Sequence, residues 1–450
     1  MSDKIRVLIV GGAIAGCLLA SSLREVASSI TILEQNDSID AMDLDQGGSG
    51  FVLFNSSNKL LRSNLLQEGG ITAKMVKSPA FQSKSVMKLF NWSNGQTIAE
   101  VPMLGDEIWA VHRKTFIRVL YDAAMTTCGN ILNFQWGIKV TSDDIDTANG
   151  IVRTCKGHVY EADLIIGADG LTSSVRSAIL KAHSLPLPRS TPLGVSCARW
   201  CLPDDKVPIT LREFAKLSSD TSTNPPSVCF HCDSSRFITY RMRDDGLLNC
   251  ITYFFDSFVP LDLPASESPS SSSWREGHPS VLKKLISETN PMRPLSDILA
   301  TPDKVGLWQL RKFVHLPTWS HGKAVILGDA AHPMAPFQAS GTSQTIEDVE
   351  ALTCLLKERR PDEPLCRVLD EFYKMRFLRA SIVQAISDHT VFSQQLLQES
   401  CKEALRRQGA EEDSAKEQWR QHPAYVDTQR VVKAAMLEQN INLDDPVIAR

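Results

Sequence analysis

A chain of 450 residues with 48 basic against 52 acidic side chains and a net charge of −4 is long enough for two or three domains. It carries no excess charge that would suit nucleic acid or an anionic membrane surface. No apolar run reaches the length of a membrane span, and the short apolar start, IRVLIV, stops at glycines without the form of a secretion signal. A soluble, cytoplasmic protein is expected. The 11 cysteines are scattered and odd in number, which suits free thiols in a reducing compartment. Cys197 and Cys201 with Cys229 and Cys232 have a spacing that four zinc ligands could use. They fall in apolar, strand-like segments without glycine-rich knuckles, so buried free thiols are the preferred reading and no metal site is assigned.

In chain order, Ile5 to Val10 reads as a strand, followed by GGAIAG from Gly11 to Gly16. A helix comes next with Ile14, Leu18, Leu19, Leu23 and Val26 on its buried side, then a strand from Ile30 to Leu33 that ends in Glu34. This is the βαβ dinucleotide pattern, in which the turn offers helix N–H groups to a pyrophosphate and an acid accepts ribose hydroxyls. Gly11 and Gly16 match the first and third fingerprint glycines, and Ala13 replaces the second, with Gly12 just before it. The stretch from Gln46 to Gly50 is glycine-rich, a strand-like FVLF follows, and a helix is expected from about Asn55. Arg113 opens a helix carrying Phe116, Leu120 and Ala124 on one face. As a residue at a helix start it gains little from the dipole, which leaves a solvated arginine or a ligand contact as its two readings.

Residues 131–160 alternate in short strands, read as a β-meander, and lead into DLIIGADGLTSSVRSAI from Asp163 to Ile179. From about 186 to 295 strand signals dominate. They are separated by polar loops that include KLSSDTSTNPPS and the Ser/Pro-rich PASESPSSSS. Helical pattern then returns around 280–289. The stretch from Gly322 to Leu356 reads as a buried strand, a tight corner at Gly328 and Asp329, a short loop and a helix. That helix has an apolar stripe at Thr345, Val349, Leu352 and Leu356. Its start is built of small residues, so its free N–H groups face whatever lies above. Asp329 is placed to accept hydrogen bonds from a ligand's hydroxyls. A further helix is expected near 371–398, and a charged tail runs from about 402. No internal repeat is visible.

Three of these segments, taken together, resemble the FAD-dependent monooxygenases of the aromatic hydroxylase family, the salicylate hydroxylase-like group with the para-hydroxybenzoate hydroxylase fold. GDAAHPM-P…G…IED resembles the family's ribityl-binding signature, with Ala339, Ser340 and Gly341 where its usual form has Gly-Gln-Gly. Asp163, Gly167, Ala168, Asp169, Gly170, Ser173 and Arg176 match its DG motif, which serves the flavin and the transient docking of NAD(P)H. The resemblance implies an α/β fold: a Rossmann-like FAD-binding domain from 1–75, 104–180 and 296–375, a mostly β substrate-binding domain from 76–103 and 181–295, and a C-terminal helical region from 376–450. The implied cofactor contacts are Gly11, Gly12, Ala13, Ala15, Gly16, Glu34, Gln35, Gly50, Arg113, Asp169, Gly170, Gly328, Asp329, Pro336, Gly341 and Thr342. Arg199 resembles an arginine that related hydroxylases point into the active site, and Tyr240 a pocket tyrosine that hydrogen-bonds substrate or peroxide oxygen.

The implied activity is insertion of one oxygen atom from O2 into an electron-rich aromatic, indole or alkene-bearing small molecule, by hydroxylation or epoxidation through a flavin hydroperoxide. NADPH or NADH is the implied electron donor. No second dinucleotide fold follows, so the nicotinamide is expected to visit a surface groove. The expected partners are a small organic substrate, O2 and NAD(P)H, without nucleic acid or membrane, in a monomer or homodimer. The alternative on the same fold is a flavin oxidase or dehydrogenase that never inserts oxygen. A binding protein of the prenylated-GTPase chaperone type is disfavoured by the intact Gly328-Asp329 corner.

Overall fold

The chain first builds a sheet whose central strands are largely apolar, because both faces are covered. The computed structural model describes residues 4–43, 50–53, 55–61, 81–82, 86–102, 107–154, 157–215, 227–232, 234–242, 246–256, 274–277 and 279–389. The glycines at 47 and 48, the polar loops at 216–226 and 264–273, and the tail from 402 lie outside the described residues.

Strand β1 (Ile5–Val10), helix α1 (Ile14–Leu23) and β2 (Ala27–Leu33) form the opening βαβ unit. After β3 (Gly50–Leu53), α2 (Asn55–Leu60), β4 (Phe81–Gln82), β5 (Val86–Asn91), β6 (Thr97–Pro102) and β7 (Glu107–His112), helix α3 (Arg113–Cys128) returns the chain to β8 (Leu132–Gln135). The small strands β9 (Ile145–Asp146), β10 (Ile151–Arg153) and β11 (Val159–Glu161) precede β12 (Leu164–Gly167) and α4 (Ser174–Ala182). The expected meander is therefore two things. Only β9 to β11 form an antiparallel sheet, whereas β8 pairs in parallel with β2, Ile32 opposite Phe134 and Leu33 opposite Gln135. The reason is topological: β8 follows a helix, and a strand–helix–strand crossover delivers its second strand parallel to the sheet.

The second half adds β13 (Thr191–Pro203), α5 (Ile209–Ala215), β14 (Ser227–His231), β15 (Ser235–Met242), β16 (Leu247–Phe255), β17 (Trp274–Gly277), α6 (Ser280–Thr289), α7 (Arg293–Leu299) and β18 (Val305–Lys312). The chain then rejoins the first sheet through β19 (Ser320–His321) and β20 (Ala324–Ile326), and ends in α8 (Gly341–Glu358) and α9 (Leu365–His389). The first sheet runs β19-β20-β12-β1-β2-β8, with every pair parallel except β19 with β20. Because the chain moves outward from β1 to β2 and β8, and later to β12 and β20 on the other side, β1 is a topological switch point. Ligands of open α/β sheets bind outside the carboxyl ends of the strands at such a point.

The second sheet has eight strands in the order β17-β18-β13-β16-β15-β14-β5-β6. Its two faces alternate cleanly. Ala198, Trp200 and Leu202 of β13, with Phe237 and Cys250, pack beneath Leu211, Leu282, Leu285, Leu295 and Ile298 from the three short helices. The opposite face carries Val195, Cys197, Tyr240, Met242, Ile251 and Tyr253. It packs towards Val52 and Ala110 of β3 and β7 and towards Phe337 and Ala339 of the loop before α8. Cys197 and Cys229 lie on β13 and β14, with β16 and β15 between them, and the described residues contain no cluster that could hold a metal.

Candidate active site

The carboxyl ends of five parallel strands line one edge of the first sheet. Read across in the order β8, β2, β1, β12, β20, they are followed in sequence by Trp136, Glu34, Gly11, Asp169 and Asp329. Four gaps at the usual interstrand spacing span about 19 Å, a length suited to an extended dinucleotide.

At β1 the glycines of the turn lie in close contact with neighbouring protein. Gly11 has φ +101°, and a Cβ there would lie 2.4 Å from the Ala168 carbonyl oxygen. A Cβ on Gly16 would lie 2.1 Å from the Gly11 oxygen, so α1 can dock on the turn only through glycine. The Gly12 amide donates to Glu34 Oε2 at 2.7 Å, and its missing Cβ is replaced by the edge of Phe134, whose Cζ would be 2.4 Å away. Ala13 precedes the helix at φ −79°, an ordinary value for alanine. Ala15 is half-buried in the first turn and Gln35 is exposed beside Glu34. Glu34 itself is 5% exposed and also accepts from the Asn36 amide at 2.9 Å and from Asn36 Nδ2 at 2.7 Å.

The two motif aspartates do different work. Asp169 accepts hydrogen bonds from Ser173 Oγ and from the amides of Ser174 at 2.7 Å and Val175 at 3.1 Å, so it caps α4. Burial pushes its carboxyl up, and those hydrogen bonds pull it back. Gly170 follows at φ +70° with open space where its Cβ would be. Arg176, 6% exposed, donates to the carbonyls of Leu171 and Ala330 and, at 3.4 Å, Asp329. It fastens the segment after β12 to the corner after β20. Asp329, by contrast, opens to the cleft, and its carboxylate has no hydrogen-bond partner among the described residues. Surrounding protein pushes that carboxyl up, opposed by His332, Arg113 and Arg176.

Arg113 opens α3 half-buried and forms no ion pair or hydrogen bond among the described residues. Burial lowers its pKa, while the carboxylates of Asp329 and Glu34 oppose that effect. It is thus an unpaired cation in the groove between the two acids. Gly50 lies elsewhere: it pairs with His112, and a Cβ on it would meet Met242 Sδ at 2.5 Å and Asn249 Cγ at 2.9 Å. It marks close contact between β3 and the second sheet, a structural demand sufficient to explain the glycine.

Behind the Gly328 corner lies a buried polar network that the IED pattern only hinted at. Asp348 accepts from the Gly328 amide at 2.9 Å, His332 Nε2 at 2.6 Å and Arg376 Nε at 2.7 Å. Although burial opposes it, His332 and Arg376 hold the Asp348 carboxyl down at about 2. Glu347 receives Arg376 at 2.9 Å and Arg379 at 2.5 Å. The two arginines sit three positions apart on α9, so one helix face reaches both acids. From the corner the chain passes Pro336 and Phe337 to Ala339, whose φ of +49° is left-handed. A β-carbon is disfavoured there by roughly 1–2 kcal/mol, which accounts physically for glycine in the usual form of the signature. Gly341 and Thr342 then open α8, whose first turn has no side-chain cap.

Above this floor stands the second sheet. Arg199 lies on β13 opposite Ile251, its guanidinium 5.6 Å from the Trp308 ring centroid. Although burial disfavours the cation, Cys197, Tyr253 and Tyr240 raise its pKa. Burial pushes the Tyr240 phenol up and the Tyr253 phenol up to about 12. Tyr253 packs on Phe337 with ring centroids 4.9 Å apart, so the roof touches the floor's own loop. Asn249, opposite both Cys201 and Tyr240, is fully buried, and neither side-chain polar atom has a partner among the described residues.

No protein-family model matches the chain. It is 29% identical over 301 residues to a salicylate hydroxylase of Pseudomonas putida, covering 66% of this chain and 64% of that protein, just under two thirds of its length. It is 27% identical over 405 residues to an FAD-dependent monooxygenase, cfoG, of Aspergillus candidus, covering 87% of both chains. Among solved structures, CtdE in complex with FAD and a substrate superposes with a TM-score of 0.71 over 97% of this chain and 100% of that one, at 17% identity, a likeness of fold. The chain is thus similar in sequence to FAD-dependent hydroxylases and monooxygenases and shares the fold of an FAD-bound one. FAD is accordingly the cofactor of this flavoprotein, and the residues present fit it: an unpaired Arg113 for the pyrophosphate, Asp329 with free acceptor capacity for the ribityl hydroxyls, and an uncapped α8 N-terminus.

The structure also brings to the site residues that the sequence does not single out: Asp348, His332, Arg376 and Arg379 behind the corner, Tyr253, Trp308 and Asn249 in the roof, and Phe134 beside Gly12. Arg376 and Arg379 had a usable signal, two arginines on a helix otherwise apolar on that side. The roof residues had none, since strand alternation does not say which face meets a partner.

Proposed function

We propose that this flavoprotein inserts one oxygen atom from O2 into an electron-rich aromatic, indole or alkene-bearing small molecule, with NADPH or NADH as electron donor. The observation that supports this most is the pairing of an FAD floor with a roof whose cation, Arg199, lies among the neutral phenols Tyr240 and Tyr253. FAD, when bound, supplies electron transfer to O2 and the activated oxygen that is transferred. The protein's own groups do the rest. The apolar roof face excludes water and holds a flat substrate against Tyr253, Trp308 and Phe337. Arg199 stabilises negative charge developing on the oxygen atom left behind after transfer, in a site where low polarity strengthens that effect. Tyr240 and Tyr253 stay protonated at neutral pH and so act as hydrogen-bond donors to a substrate oxygen. Asp329, Arg113, Glu34 and the α8 N-terminus hold the cofactor; Asp169 and Arg176 act through the backbone they fix.

The test is turnover with NADPH under heavy-isotope dioxygen across hydroxylated benzoates, indoles and phenols, with mass analysis of products. One labelled atom in the product is expected. Arg199→Ala should retain bound flavin and lose at least about 100-fold in product formation, the scale of one lost charge-stabilising donor. Hydrogen peroxide without label in any product would make the protein an oxidase instead.

A further inference from the structure

The edge of the first sheet leaves one end unassigned. With Asp329, Gly11 and Glu34 taken by ribityl, pyrophosphate and ribose, the next strand outward is β8, and the residue that leaves it is Trp136. Three rings gather there. Trp136 stacks on Phe134 with centroids 4.3 Å apart and planes 25° apart, and Tyr121 of α3 meets both, at 5.2 Å from Phe134 and 5.8 Å from Trp136. Phe134 fills the slot beside Gly12 described above, so the stack begins at the pyrophosphate turn itself. The backbone pins Trp136 next to Glu34: the Glu34 amide donates to the Gln135 carbonyl at 2.9 Å, and the Ile138 amide donates to the Glu34 carbonyl at 2.8 Å. The indole is half-buried, one face on Phe134, and its N–H has no acceptor among the described residues. Rings that only close an edge strand need no such register with a ribose-binding acid.

We propose that Trp136, backed by Phe134 and Tyr121, is the stacking platform for the adenine of FAD. This rests on FAD as the cofactor and adds the residue that receives its far end. A base stacked on an aromatic side chain is bound roughly 5- to 150-fold less tightly when that side chain is cut to alanine. Trp136→Ala should therefore weaken FAD binding about tenfold, read by the fluorescence of flavin released from the holoprotein on dilution. ADP, which carries the adenosine end alone, should lose the same factor as a competitor. Trp136→Phe should stay within about threefold of the parent for both ligands, and the visible spectrum of bound flavin should not change, because the ring lies at the opposite end.

Unchanged FAD and ADP affinities in Trp136→Ala would overturn the assignment. A loss for FAD without a loss for ADP, or a shifted flavin spectrum, would equally overturn it by showing a general disturbance of the site. If Trp136→Ala folds poorly, Trp136→Phe decides: equal loss to the alanine variant rules stacking out. A parent protein that takes up no FAD at all would defeat the cofactor assignment, a different result from any of these.

Discussion

The floor and the roof of the site treat their polar groups in opposite ways. In the floor nearly every polar side chain is bonded to another part of the floor: Glu34 to Gly12 and Asn36, Asp169 to the start of α4, Arg176 to carbonyls of two motifs, Asp348 to Gly328, His332 and Arg376. Asp329 and Arg113 are the groups left for a ligand. In the roof, buried polar atoms of Asn249 and Nε of Arg199 have no partner among the described residues. A floor that binds an invariant cofactor can be finished by the protein alone. A roof that meets a substrate leaves capacity open, at some cost in stability.

That contrast can be broken at three places. The largest effect is expected at Asp348→Ala, which takes one of two carboxylates from the fully buried Arg376 and leaves His332 and the Gly328 amide without theirs. Removing one partner of a buried pair costs about 3–5 kcal/mol, so thermal denaturation should show a large loss and the purified variant should contain little flavin. A small loss would mean the network is not what stiffens the corner. At the roof, Asn249→Leu should behave in the opposite sense. Replacing a buried, unpartnered amide with an apolar side chain of similar size should raise stability by about 1 kcal/mol, while KM for the substrate rises. A raised melting temperature with KM unchanged would reduce the amide to a packing defect.

The smallest effect is expected at Asp388 on α9, which accepts the Ala335 amide at 3.1 Å in the loop leading to α8. Burial pushes its carboxyl up to about 7. A folded-state value above the ordinary one of about 4 means that folding favours the protonated form. Its contribution is complete below about pH 4 and is lost as pH rises through about 7. Asp388→Asn should thus melt with the parent near pH 4 and higher than the parent at pH 8, by about 2 °C. A difference that does not grow with pH would show that this carboxyl is not the titrating group.

Much of the floor was legible in the chain. Strand β1, the Gly11 turn, Glu34 and the start of α3 at Arg113 all fall where pattern and spacing put them, because a βαβ unit writes its geometry in contiguous residues. Strand β8 departs from the expected meander for the converse reason: LNFQ is too short to reveal its pairing, which is decided by the preceding helix. The resemblance implies a cofactor role for Asp169, and in the structure its carboxylate accepts the amides that open α4, a use that DGLTSSV allows as a capping sequence. The roof was legible only through the resemblance, at Arg199 and Tyr240; strand pattern alone does not show that these meet Tyr253 and Asn249, which takes the pairing of β13, β16 and β15.

Ala339 carries a wider consequence. It holds a left-handed backbone that glycine adopts more easily, yet its methyl packs into the roof cluster beside Phe337. A signature records the residue that reaches a shape with least effort, which is a weaker thing than recording the shape. Lineages that trade ease for a contact drift out of the written pattern while their loop keeps its path. In such proteins descent is better traced by torsion angles than by letters.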